Sequence, residues 1–278
     1  MSLYTSNTTK SKDDLLIARD DKNNYYYSYD NKVGESSFSN LNNVKPMPIM
    51  IPNQVQNFYI SGSSGSGKST FCAEIVAELI EILGISDGES SNKSKKIENI
   101  FFLSIQNEDD PAFSKLQKLT VKRHIENPYN KKIEEYKEPI FINLDINNPE
   151  IYSLPLEYFR NSVFILDDFD TLEKDIEKMM NLFVRKLITV GRKQNINVFI
   201  LKHKTMNAHK TSEIIMEARS IVLFPKFNIR DSNKFLENYL HFNKKELESI
   251  RKELDSRYLF IHKTVPNLMI ANNFIKLL

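Results

Sequence analysis

Cysteine occurs once in the 278 residues, at Cys72, which excludes an intramolecular disulfide and fits a reducing compartment. No apolar run approaches the roughly 18 residues that a membrane-spanning helix needs. The opening segment MSLYTSNTTKSKDD holds no hydrophobic signal core either, so the chain reads as soluble and unsecreted, with no membrane partner. Neither sign of charge dominates: 38 Lys and Arg stand against 36 Asp and Glu, a net charge of +2. That excludes the strongly basic profile of a protein that coats nucleic acid, but not one that touches a few phosphates. Glycine is scarce too, with seven in the whole chain, yet Gly62, Gly65 and Gly67 stand within six consecutive positions.

Those glycines lie in FYISGSSGSGKSTF (58–71), which spells G-x-x-x-x-G-K-[ST], the signature of a phosphate-binding loop. A loop that wraps phosphates must turn successive backbone N–H groups inward, and glycine reaches those dihedrals at little steric cost. The following helix directs its unpaired N–H groups and partial positive charge at the same phosphates. The spacing therefore assigns nucleotide binding to Gly62, Ser63, Ser64, Gly65, Ser66, Gly67, Lys68, Ser69 and Thr70. Lys68 reaches the β- and γ-phosphate oxygens of ATP, and the Ser69 hydroxyl enters the shell of a Mg²⁺ ion. The context agrees. NFYI (57–60) reads as an apolar strand, and Phe71, Ile75, Val76, Leu79, Ile80 and Leu83 recur at helical spacing before a stop at Gly84. A Gly/Ser linker would lack both flanks.

Further short apolar runs alternate with helical patterns: NIFFLSI (99–105), PIFINLD (139–145), SVFILDD (162–168), NVFIL (197–201) and SIVLF (220–224). Such runs, with helices between them, predict a mainly parallel β-sheet flanked by helices on both faces, an α/β nucleotide-binding fold. VFILDDFD (163–170) delivers carboxylates at the C-terminal edge of a strand, where ligands bind in such sheets. Asp167 is assigned to Mg²⁺, and Asp168 to orienting or deprotonating the attacking water. The second acid separates phosphoanhydride hydrolases from simple kinases and places the chain with the ASCE/RecA-like P-loop NTPases. Asp170 either joins them or caps the next helix.

That helix, about Thr171 to Val190, repeats Lys178, Arg185 and Arg192 every seven residues on a face away from its apolar stripe. A basic stripe is ordinarily a solvated face. The sharper reading is an arginine finger that reaches the γ-phosphate of a neighbouring subunit, with Arg192, after Gly191, as first candidate and Arg185 as second. KHKT follows the next strand, which makes His203 a sensor candidate for the γ-phosphate or the water, with Lys202 beside it; a charged surface turn is the plain alternative. His124, His209, His241 and His262 have no acidic or cysteine neighbours at metal-ligand spacing.

YISGSSGSGKST, VFILDDFD, VGRKQNINVFILKHKT and EARSIVLFP together resemble the FtsK–HerA superfamily of DNA-pumping ATPases. Within it they resemble the poxvirus-type genome-packaging ATPases of large DNA viruses and their virophage-like relatives. The resemblance covers about residues 55 to 225, and DSRYLFIHKTVPNLMI (255–270) is similar to the closing segment of those proteins. It implies a homo-oligomeric ring around double-stranded DNA, ATP sites at subunit interfaces, and hydrolysis that threads a genome into a preformed capsid. It also implies a capsid or portal-vertex partner, and a location in the host-cell cytoplasm or virus factory, or in the virion. By position, Lys68 and Ser69 then hold phosphate and Mg²⁺, Asp167 the metal and Asp168 the water. Two departures stand out: Lys202 or His203 occupies the place of a common glutamine, and Asp168 that of a commoner glutamate. Two other readings share the phosphate loop, a small-molecule or nucleoside kinase and a slow nucleotide-gated assembly switch.

Composition divides the chain in three. Residues 1–50, rich in Asn, Ser and Tyr, are expected to be a flexible, low-complexity extension. Residues 51–225 form the ATPase core. Residues 226–278 supply a helix (Lys244 to Leu254) and a β-hairpin of RYLFIH and LMIANN packed on that core.

Overall fold

The computed structural model describes residues 1–6, 14–29, 35–51, 54–86, 96–105, 110–126, 133–169, 172–203, 208–227 and 229–278. They fall into two compact units: Met1–Lys68 with Ile200–Leu278, and Ser69–Phe199.

The first unit opens with strands β1 (Ser2–Ser6), β2 (Leu15–Arg19), β3 (Tyr25–Tyr29), β4 (Ser37–Phe38) and β5 (Lys45–Pro46). Four of them form an antiparallel sheet in the order β1-β3-β2-β5. This corrects the expectation of a flexible extension over residues 1–50. The Tyr-rich composition conceals a buried set, Leu3, Ile17, Ala18, Tyr26 and Tyr27. Tyrosine suits a half-buried pleated surface, with an apolar ring and a polar tip. Tyr4 and Tyr27 stack at 5.4 Å, while Tyr26 meets Phe38 edge-on at 5.7 Å and donates its hydroxyl to Asp20. Burial, then the Asp20 charge, push the Tyr26 phenol up to about 12. Asp20 also accepts from the backbone N–H groups of Lys22 and Asn24 and so closes the turn into β3. Strand β6 (Asn57–Ser61) follows, buried along its whole length.

The second unit begins inside helix α1 (Lys68–Leu83), whose Phe71, Cys72, Ile75, Val76, Leu79 and Ile80 are buried at helical spacing. Gly84, at φ +78°, donates its N–H to the Ile80 carbonyl and ends the helix. Then come β7 (Asn99–Ser104), α2 (Ser114–Gln117), β8 (Thr120–Glu126), β9 (Ile133–Pro139), β10 (Phe141–Asp145), α3 (Pro149–Ser153), β11 (Ser162–Asp167), α4 (Lys174–Val190) and β12 (Ile196–Lys202). Its strands run β10-β7-β11-β12, and β7 pairs in parallel with both β10 and β11. The register aligns Phe164 with Phe101, and Phe164 packs against Phe101, Phe159 and Phe183 at centroid distances of 5.0, 5.1 and 5.8 Å. Burying each such ring contributes about 2–3 kcal/mol. The same register brings Asp145 and Asp167 level with Ser104, so three strands end on one edge. Among the described residues, strands β8 and β9 pair only with each other, an antiparallel hairpin that apolar periodicity does not announce. Helix α4 starts at Lys174, inside the expected span, and Thr171 lies outside the described residues.

The chain returns to the first unit within β12 and continues through α5 (Ala208–Glu217), β13 (Ser220–Leu223), α6 (Ile229–Leu240), α7 (Lys244–Glu253), β14 (Leu259–His262), β15 (Leu268–Ala271) and β16 (Phe274–Leu277). Here β6 pairs in parallel with β13, and β13-β14-β15-β16-β4 follow as an antiparallel run. The expected boundary near residue 225 is therefore crossed by backbone pairing, since Ser220–Leu223 hydrogen-bond with Leu259–His262. Both strands are wholly buried, which explains the unbroken apolar runs of residues 221–223 and 259–261, while the polar ends Ser220 and His262 pair with each other. Helix α7 opens with a capping box between Asn243 and Glu246.

Candidate functional site

In the first unit, β6 ends at Ser61 and the chain turns at Gly62, whose N–H donates to the Lys202 carbonyl at 3.1 Å. A Cβ on Gly62 would stand 2.7 Å from Ser66 Oγ and 3.0 Å from Phe224 Cβ, so only glycine fits. The Ser66 N–H donates to the Ser63 carbonyl at 3.2 Å, while Gly65 (φ +71°) and Gly67 (φ +101°) take left-handed backbone. Lys68, 6% exposed, folds back over the loop. Its ammonium donates to the Ser63 carbonyl at 3.2 Å and lies 3.4 Å from Nδ1 of His203. Nδ1 accepts that proton only in the neutral ring with hydrogen on Nε2. Ser66 Oγ is buried and has no hydrogen-bond partner among the described residues. A buried hydroxyl of this kind suits a phosphate oxygen.

In the second unit, Ser69 and Thr70 begin the first turn of α1. Cys72, one turn after Ser69, is wholly buried; burial pushes its thiol well up, and the Asp167 and then Asp110 carboxylates push it further. Asp167 stands at the end of β11, level with Ser104 of β7. A hydroxyl and a carboxylate are hard oxygen donors and suit Mg²⁺, which keeps several waters and binds through one or two carboxylates plus substrate phosphates. No group of three His, Cys, Asp or Glu side chains among the described residues forms a metal cage. Asp168 takes left-handed backbone at φ +47°, which turns the chain sharply at the strand edge and which aspartate tolerates better than most residues. Asp170 lies outside the described residues.

Arg185 and Arg192 occupy exposed positions, Arg185 on α4 and Arg192 in the turn Gly191–Gln194, with Lys178 exposed on the same helix. Gly191 caps α4 in ordinary right-handed backbone, and the left-handed residue is Asn195 (φ +55°). Two residues near the site have no counterpart among the sequence candidates. Asp110 caps the turn Pro111–Phe113 by accepting from the Ala112 N–H at 2.9 Å; an aspartate before proline, just past a strand, is the signal that marks it. Arg257, distant in sequence, donates to the Gly65 carbonyl at 3.1 Å, and no spacing rule reaches it. His262 is structural: its ring nitrogens pair with Ser220 Oγ at 3.0 Å and Thr264 Oγ1 at 2.8 Å. Burial, then Arg219, hold it down at about 4.

Buried parallel strands, a glycine-rich turn after β6 and a helix leading from it define the class, an α/β fold of the P-loop type. In the second unit β7 pairs in parallel with β10 and β11, and in the first β6 pairs in parallel with β13. No family model matches the chain. Among curated proteins it is similar to "Uncharacterized protein V3" of Sputnik virophage, 24% identical over 237 residues that make up 84% of this chain and 82% of that one. Among solved structures it is similar to the genome packaging NTPase B204 of Sulfolobus turreted icosahedral virus 2 in complex with ATP-gammaS, with a TM-score of 0.46, 8% identity, and coverage of 80% of this chain and 97% of that one. It is similar as well to the pCW3 conjugation coupling protein TcpA with ATPgS, with a TM-score of 0.45, 10% identity, and coverage of 89% and 74%. No helix among the described residues is long and apolar enough to cross a membrane.

Proposed function

We propose that this protein is a Mg²⁺-dependent ATPase motor that translocates double-stranded DNA and packages a viral genome into a preformed capsid. The observation that carries the nucleotide half is the posture of Lys68. An ammonium drawn into the loop, on the Ser63 carbonyl and His203 Nδ1, supports this reading, in which β- and γ-phosphate oxygens replace those neutral acceptors with charged ones. In this reading the other donors to phosphate are backbone N–H groups of the turn between Gly62 and Ser69, the Gly62 N–H being held by the Lys202 carbonyl, joined by the buried hydroxyl of Ser66.

In this reading Ser69 and Asp167 hold Mg²⁺, which neutralises charge that develops on the transferred phosphoryl group. Asp168 orients the attacking water and accepts its proton, and His203, beside Lys68, senses the γ-phosphate. Arg192, or failing it Arg185, serves a neighbouring copy as the finger, which fits exposed placement and calls for a ring of subunits. The DNA half rests on the motif resemblance to packaging ATPases, and the virophage relative supports a viral setting. A capsid or portal-vertex partner and a site of action in the host-cell cytoplasm, virus factory or virion belong to the same reading.

Steady-state ATP hydrolysis with and without double-stranded DNA, with Lys68→Ala as blank, tests the proposal. DNA-stimulated turnover that the variant abolishes supports the motor. A rate indifferent to DNA, from a protein that stays monomeric with ATP bound, sinks it in favour of a kinase or an assembly switch.

A further inference from the structure

Arg257, just ahead of β14, makes three contacts. Its Nη2 donates to the Gly65 carbonyl at 3.1 Å, and its guanidinium lies over the Phe227 ring, 5.5 Å from the centroid. A Cβ on Gly67 would stand 3.3 Å from Arg257 Cζ and 3.4 Å from Nε, so the guanidinium packs against the bare Cα of that residue. Phe227 is held in turn by the tight turn after β13, where its N–H donates to the Phe224 carbonyl at 3.1 Å.

The consequence lies in one peptide plane. A trans peptide points its C=O and N–H in opposite directions. The Gly65–Ser66 plane has its carbonyl on Arg257 and its N–H on the Ser63 carbonyl, and that Ser63 carbonyl also takes the Lys68 ammonium. Turning the plane over would break both of its bonds at once. A glycine at φ +71° with nothing within 4 Å of its absent Cβ has no steric brake of its own on such a turn.

We propose that Arg257 is a positioning residue of the phosphate loop: set over the Phe227 ring, it fixes the Gly65–Ser66 peptide with its N–H on the Ser63 carbonyl, the same carbonyl that holds the Lys68 ammonium, and so pre-organises the loop for a nucleoside triphosphate. This rests on the reading of residues 62–70 as a nucleotide site. It also gives a reason for glycine at position 67 beyond its dihedral angle, since a side chain there would displace the guanidinium. Lysine does not substitute for arginine here, because an ammonium lacks the planar face that stacks on an aromatic ring.

The test uses the full chain with Arg257→Ala, Arg257→Lys and Phe227→Leu. It reads hydrogen exchange of the 62–67 amides without nucleotide, the dissociation constant of a fluorescent ATP analogue, and kcat and KM separately. Arg257→Ala is expected to speed loop exchange and weaken both affinity and KM by about tenfold, the worth of one charge-assisted hydrogen bond, with kcat within about twofold. Phe227→Leu shifts the same quantities in the same direction, and Arg257→Lys recovers less than half the loss. Unchanged exchange and affinity in Arg257→Ala overturn the proposal, as does full recovery by lysine. A hundredfold loss in kcat at constant KM overturns it as well, since it would place Arg257 on the transition state. If Arg257→Ala does not fold, Phe227→Leu, which removes only the stacking surface, decides by the same exchange. If the wild type binds no ATP analogue the nucleotide reading fails, whereas the exchange comparison still decides whether Arg257 braces the loop.

Discussion

The Lys68 ammonium lies 3.4 Å from Nδ1 of His203, so the cation of the glycine-rich loop and the residue just past the end of β12 are in direct contact. Lys68→Ala is expected to lower ATP turnover by more than about a hundredfold, because it removes the charge that offsets the transferring phosphate. His203→Ala should lower kcat by about tenfold or more, with smaller effect on nucleotide affinity, since Lys68 keeps the Ser63 carbonyl. Steady-state kinetics with a nucleotide titration separates the two. An equal loss in both quantities for His203→Ala would make that residue a plain binding contact.

Asp167 and Asp168 are adjacent, but their backbones differ, and that makes their roles separable. Asp167→Asn should move the midpoint of a Mg²⁺ titration of activity upward by about tenfold or more, and chelation of Mg²⁺ should stop turnover of the wild type. Asp168→Asn retains left-handed backbone and should hold nucleotide while losing about a hundredfold in kcat. Asp168→Val, by contrast, should also destabilise the fold by about 1–2 kcal/mol, because a β-branched residue resists φ +47°. Equal unfolding midpoints for the Asn and Val variants would contradict this account of the strand edge.

Gly62 and Gly65 should respond differently to alanine. At Gly62 the new methyl meets Ser66 Oγ at 2.7 Å and the buried Phe224 at 3.0 Å, so the loop must move; about 1–3 kcal/mol of stability and most nucleotide affinity should go. At Gly65 the methyl meets nothing within 4 Å, and the cost is only that of φ +71°, about 1 kcal/mol. Denaturant unfolding of both variants, with a nucleotide titration, checks the order.

His262 couples stability to pH. Its folded pKa of about 4 lies below the ordinary histidine value of 6.5, so between those values the unfolded chain binds a proton that the folded chain refuses. Its contribution is complete above about pH 6.5, shrinks as pH falls, and levels off below about pH 4, a loss of about 2 kcal/mol by pH 5. The urea midpoint should therefore fall between pH 7.5 and pH 5, and His262→Gln, though less stable at pH 7.5, should fall less. An equal fall in both proteins would assign the effect to other groups.

The elements that could be read from the sequence are those whose evidence is local. Strand β6, the glycine turn and α1 announce themselves within a few turns of chain. Asp167 is legible because a buried strand must end where its apolar run ends. Strands β1 to β3 escaped because Tyr, Asn and Ser dominate the composition, although Tyr26 and Tyr27 bury their rings. The β8–β9 hairpin escaped because TVKRHIE and IEEYKEP carry charge where apolar alternation would be expected.

The sequence by itself determined an α/β chain with a glycine-rich turn between a strand and a helix and an acidic strand end, because short-range spacing sets backbone dihedrals and the burial of single elements. Tertiary structure alone decided that His203 meets Lys68, that the Asp167 and Asp110 charges both act on the buried Cys72 thiol, and that Arg257 donates to the Gly65 carbonyl. Those pairs lie far apart along the chain. Contact between them follows from sheet order and register, which no local pattern of residues records.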